Sequence, residues 1–74
     1  MAEIVLRVRL VSGDQLDVTY EEPATGDVEA AAEHAIRILA DDSGVLRTSH
    51  GGRLVVLYGR GVAVLEVGPR GAVL

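Results

Sequence analysis

Ser49 and His50 are neighbours in the chain. A hydroxyl beside an imidazole is the first pairing to test for nucleophilic chemistry. That chemistry needs the base to face the hydroxyl in space, with a third group orienting the ring. Adjacent residues at a strand end point their side chains apart, so this pair does not meet the requirement. The chain has no cysteine to act as a nucleophile, no lysine for a Schiff base and no G-x-S-x-G elbow. Gly59-Arg60-Gly61 begins like a dinucleotide fingerprint, but Val64 stands where the third glycine would be. The metal-ligand types His34, His50, Asp41 and Asp42 show no recognised ligand spacing such as H-E-x-x-H. No catalytic residue, metal or cofactor is therefore expected, and the chain reads as a non-enzyme.

The elements that position these residues follow from periodicity. From Glu3 to Val11, Ile4, Leu6, Val8 and Leu10 share one face, and Arg7 and Arg9 lie on the other. After the turn signal Ser12-Gly13-Asp14-Gln15, Leu16, Val18 and Tyr20 alternate with Asp17, Thr19 and Glu21. These are two antiparallel strands with one wet face. Placing both apolar sets together sets Arg9 opposite Asp17 or Thr19, and Arg7 opposite Thr19 or Glu21. Glu22-Pro23-Ala24-Thr25-Gly26 breaks the second strand. A helix is predicted from about Asp27 to Ala40, with Asp27 or Thr25 capping its start. Val28, Ala31, Ala32, Ala35, Ile36, Ile38 and Leu39 span its apolar arc, and Glu29, Glu33 and Arg37 lie opposite. His34 falls at the border of the arc, with one nitrogen in water. Asp41 and Asp42 are disfavoured by the helix dipole at its C-terminus and read as turn residues before the Ser43-Gly44 stop.

Three short strands follow: Val45–Ser49, Leu54–Tyr58 and a fifth from Val62 to the Gly68–Gly71 turn. The reading is α+β, a single helix packed on one face of a mainly antiparallel sheet in the order ββαβββ, within one domain over residues 1–74. The alternative is a small curled barrel. The element order resembles the β-grasp, or ubiquitin-like, arrangement over roughly residues 3–58. Ubiquitin-like modifiers and sulfur carriers end in an activated Gly-Gly, whereas this chain ends Val73-Leu74. The resemblance therefore implies the fold without conjugation or sulfur transfer.

Composition narrows the remaining choices. The chain has 74 residues, no Phe, no Trp and two tyrosines. Domains of this size bury only about 60% of the surface of their unfolded chains. Disulfides are excluded by the lack of cysteine, which leaves oligomerisation as the usual support. Met1-Ala2-Glu3 lacks a basic leader pattern, and no apolar run approaches the ~20 residues of a membrane helix, so a cytoplasmic location without membrane contact is expected. The net charge is −4, which speaks against a nucleic-acid binder. Residues 1–42 hold ten acids and three arginines, while residues 43–74 hold one acid and four arginines. That asymmetry suits pairing with a partner or a second copy.

Leu54 to Val67 reads as a hairpin closed at Gly59–Gly61, with Glu66 as the one charge on its strands. Tyr58 then pairs with Val62, Val56 with Val64 and Leu54 with Glu66. The set Val55, Leu57, Ala63, Leu65 and Val67 is assigned to the core. Leu54, Val56, Tyr58, Val62 and Val64 are left facing outward as an interface, because exposed apolar patches mark contact surfaces. The expected function is a small interaction module that self-associates as a homo-oligomer through this face and engages a protein partner. A second expectation is an anion-binding or partner-binding rim of His50, Arg53 and Arg70, gathered at one end of the sheet.

Overall fold

The computed structural model describes residues 1–69. The strands are β1 (Ala2–Leu10), β2 (Gln15–Glu22), β3 (Val45–His50), β4 (Arg53–Tyr58) and β5 (Val62–Pro69). One helix, α1 (Val28–Leu39), separates β2 from β3, and a 3-10 turn over Gly59–Gly61 joins β4 to β5. The architecture is the α+β arrangement ββαβββ, with α1 on one face of a five-stranded sheet. Every pairing is antiparallel. The sheet is not closed, so the barrel alternative is not realised.

The core is centred on β1. Ile4, Leu6 and Val8 are fully buried and lie beneath Ala31 and Ala35 of α1, which are also fully buried. Methyl side chains on the helix let it approach the sheet closely, so a core without Phe or Trp still closes. Val18 and Tyr20 of β2, Leu46 and Thr48 of β3 and Leu57 of β4 complete the interior. Asp27 caps the helix, its Oδ1 accepting from the Glu29 N–H at 3.0 Å, and Thr25 Oγ1 in turn accepts from the Asp27 N–H at 3.0 Å. Ile36, at one flank of the apolar arc, is exposed, and so is Val28, which lies at the centre of the arc but is the first residue of the helix.

The β1–β2 register matches neither of the two expected pairings. A tight turn, in which Leu10 N–H donates to the Asp14 carbonyl and Gly13 N–H to the Leu10 carbonyl, sets Arg7 opposite Asp17 and Arg9 opposite Gln15. Arg7 then meets Asp17 at 3.0 Å. That hydrogen bond holds the Asp17 carboxyl below, and the Arg7 guanidinium above, its ordinary range.

The larger correction concerns the C-terminal strands. The sheet order is β4-β3-β2-β1-β5, so β4 and β5 are opposite edges and form no hairpin with each other. β4 pairs with β3, and β5 pairs with β1. The physical reason is local to Gly59–Gly61. The Gly59 N–H donates to the Gly44 carbonyl at 2.9 Å, and the Gly61 carbonyl accepts from Val11 N–H at 2.9 Å. The connection is thereby drawn beneath the end of α1 towards the β1–β2 turn. The sheet bends to allow this, with β2 and β3 joined through the pair Thr19–Ser49.

A bulge also rearranges the faces of β5. Arg9 pairs with Val64 and Leu10 with Val62, leaving Ala63 as the extra residue. Val62 consequently turns inward and packs against the core, contrary to its outward assignment. Ala63 is exposed instead of buried. Val55, Leu57, Leu65 and Val67 face the core as expected.

Gly44 and Gly59 are constrained by space. A Cβ on Gly59 would overlap the Asp41 carbonyl oxygen, and one on Gly44 would overlap the Ile38 carbonyl oxygen. Overpacking of this kind costs about 1–3 kcal/mol or more. Gly59→Ala and Gly44→Ala are each expected to lower the urea unfolding free energy by at least that amount. Gly26→Ala, where a Cβ meets nothing within 4 Å, is the control and is expected to stay within about 0.5 kcal/mol of wild type.

Candidate functional site

β4 carries alternating residues whose side chains and backbone groups have different destinations. Val55 and Leu57 point into the core, whereas Leu54 and Tyr58 are 62% and 46% exposed. Val56, between them, is partly exposed on the same outer face. Val45, opposite Tyr58 on β3, adds a further exposed apolar residue. The Arg60 guanidinium lies over the Tyr58 ring, 4.9 Å from its centre, and covers the end of the strip.

The backbone of β4 follows the same alternation. The bond from Gly59 N–H to Gly44 carbonyl makes that pair a hydrogen-bonded one, in the register that sets Tyr58 opposite Val45. Hydrogen-bonded and non-hydrogen-bonded pairs alternate along an antiparallel ladder. Leu57, Val55 and Arg53 therefore direct their N–H and C=O groups at β3. Thr48 Oγ1, donating to the Val55 carbonyl at 2.7 Å, sits on that side. By the same alternation Leu54 and Val56 direct theirs, and Tyr58 its N–H, away from β3, and among the described residues no strand lies beyond β4 in the sheet.

Beside this edge runs a groove of about 390 Å³ between β4 and the β1–β2 turn. Its walls include Leu10, Val11, Leu16, Val55, Leu57 and Tyr58. The groove is the gap left where the bent sheet fails to close.

The polar residues gather elsewhere. Glu22 is buried at the end of β2 and accepts from Tyr20 Oη at 2.7 Å and from the Ala24 N–H at 3.1 Å. His34 Nδ1 reaches the same carboxylate, and it also lies 2.9 Å from Tyr20 Oη. Hydrogen bonds from Tyr20 and His34, joined by the Ala24 N–H, hold the Glu22 carboxyl down at about 2. Burial and the adjacent carboxylate push the Tyr20 phenol up. Glu22 thus fixes the His34 ring in the way an acid orients a catalytic imidazole. Ser49 is on β3 and pairs with Thr19 and Leu54. The cluster ties α1 to the end of β2.

No family model, curated protein or solved structure matches the chain.

The five residues expected as one outward face are divided by the topology. Leu54, Val56 and Tyr58 lie together on β4. Val64, 49% exposed, lies on the far edge beside Arg9, and Val62 faces inward. Of the expected rim, His50 and Arg53 face each other across the β3–β4 turn, and Arg70 lies outside the described residues. The His50 ring is engaged by the Asp17 carbonyl at 2.7 Å. Asp41 serves its turn, as expected, with Oδ1 accepting from the Ser43 N–H and hydroxyl. Among the described residues no group of three or more His, Cys, Asp or Glu side chains is placed to hold a metal ion.

The inward place of Glu22 has a signal in the sequence. Leu16, Val18 and Tyr20 face the core on alternate positions, and Glu22 is next in that phase, so a carboxylate was being directed inward. Its ionisation has a measurable consequence. The group ionises at an ordinary value of 4.5 and at about 2 in the native state, so the unfolded chain binds the proton more readily. The stabilisation is present above pH 4.5 and is lost as pH falls from 4.5 towards 2. Urea unfolding across pH 7 to 2 is expected to show Glu22→Gln less stable than wild type at neutral pH and less steeply destabilised below pH 4.5. Asp17 and Asp41, also held low, supply the remaining slope. Equal slopes for the two proteins would remove Glu22 from this role.

Proposed function

We propose that this chain is a small non-enzymatic protein-interaction module that self-associates through the outward apolar residues of β4. The observation that carries this reading is the strip Leu54, Val56 and Tyr58, widened by Val45, on a strand with no charged residue between positions 54 and 58. Small domains keep exposed strands soluble with charge, proline or cover; this stretch of β4 has neither charge nor proline within it, and Arg60 covers only its Tyr58 end. The composition supports the same reading, since a 74-residue chain without cysteine, Phe or Trp gains most from a partner.

Light scattering coupled to size exclusion tests it. Wild type is expected to form a homo-oligomer in the micromolar range, and Tyr58→Glu to be monomeric with an unchanged far-ultraviolet spectrum. A carboxylate carried into an apolar contact costs enough to weaken association at least about tenfold. Wild type that remains monomeric at several hundred micromolar would overturn the proposal.

A further inference from the structure

The two edges of the sheet are built differently. β5 carries Glu66 within its span, is interrupted by a bulge at Ala63, and ends at Pro69, which has no N–H to offer. Each of these features discourages an added strand. β4 has none of them from Leu54 to Tyr58. Its unpaired backbone groups belong to the same three residues whose side chains form the outward strip.

We infer that β4 pairs edge to edge with β4 of a second copy, antiparallel about a two-fold axis at Val56, making one continuous sheet. This rests on the self-association proposed above and specifies its geometry. The backbone sets the parity. Leu54, Val56 and Tyr58 alone point outward, so these residues must face the same set on the partner. Centring the pair on Val56 brings Val56 against Val56 and Leu54 against Tyr58. Val56 exchanges both backbone bonds with its counterpart, and each Tyr58 N–H reaches the Leu54 carbonyl opposite. The Tyr58 carbonyl, which opens the 3-10 turn, stays with that turn.

The side chains agree with this register on both faces. Outside, Leu54 and Tyr58 form mixed apolar pairs flanking the central valines. Inside, Val55 of one copy falls opposite Leu57 of the other, over the apolar groove. No like charges meet. Arg53 is brought opposite Gly59, and each Arg47, on β3, is separated from its mate by three strand spacings, roughly 14 Å. A second copy is the occupant that the edge itself encodes, because a two-fold pairing satisfies backbone parity, apolar matching and charge at once.

The lack of native cysteine allows a direct test with single-cysteine variants. Opposed residues of a hydrogen-bonded antiparallel pair stand about 5.5 Å apart at Cα, within disulfide range. Val56→Cys is expected to cross-link to itself under mild oxidation. Leu54→Cys alone is expected to link on the order of tenfold more slowly, and to link efficiently when mixed with Tyr58→Cys, because pairing raises the effective thiol concentration only at opposed positions. Far-ultraviolet spectra and light scattering of the reduced variants establish that each folds and associates as wild type does. Oligomeric wild type with unlinked Val56→Cys, or with self-linking Leu54→Cys, overturns the edge pairing and leaves self-association standing. Monomeric wild type overturns both.

Discussion

Gly59 passes beneath the end of α1 at a distance that leaves no room for a side chain, and the placement of both C-terminal strands depends on that contact. Its N–H is held by the Gly44 carbonyl, and a Cβ would overlap the Asp41 carbonyl. Two residues later, the Gly61 carbonyl is bound to Val11 beside the β1–β2 turn. Three residues thus lead the chain from β4, at one edge, to β5, at the other. A hairpin loop of the same length would have laid β5 against β4 and left β1 as an edge. Instead β1 becomes the second strand of the sheet, covered on both sides, and its Ile4, Leu6 and Val8 form the best-buried part of the core.

A second attachment works at the other end of the molecule. Glu22 ends β2 inside the fold, with its carboxylate shared between Tyr20 and His34. A buried carboxylate without partners would be costly. Here its two side-chain partners come from the strand and the helix, so satisfying it fixes one against the other. Together the two attachments fix α1 over β1. A thin core built from valine, leucine, isoleucine and alanine tolerates little slippage, and the polar cluster supplies direction that alanine methyl groups do not.

The elements were legible because each has a local cause. Asp27 caps the helix, Gly13 adopts a positive φ in the β1–β2 turn, and the period-two pattern from Ile4 to Leu10 marks β1. Strand order was not legible, because it is set by contacts that no periodicity encodes. Gly59-Arg60-Gly61 is suitable both for a hairpin loop and for a 3-10 turn. What separates them is the distance between Gly59 and residues some fifteen positions earlier. The bulge at Ala63 is equally invisible, since Val62-Ala63-Val64 reads as an unbroken strand. The outward strip was half legible: Leu54, Val56 and Tyr58 share a face by parity along β4 alone, while Val62 and Val64 were attached to them through a pairing that does not form.

The excess of apolar residues between positions 54 and 67 is therefore divided in a way that a two-faced hairpin does not describe. β5 sends Leu65 and Val67 to the core and, through its bulge, Val62 as well. β4 sends Val55 and Leu57 inward and retains Leu54, Val56 and Tyr58 on an edge with open backbone groups. Apolar exposure alone is a weak argument for contact, because association costs several kcal/mol in lost freedom before any burial is counted. An edge strand changes the balance. Each residue that pairs there satisfies directional backbone groups and removes apolar surface in the same step, at about 25 cal/mol per Å². The apolar groove beside β4 lies where the inward side chains of an added strand would fall. The incomplete closure of the sheet and the unprotected strand are thus two aspects of one structural fact: the Gly59 contact carries β5 away and leaves β4 with an unoccupied side.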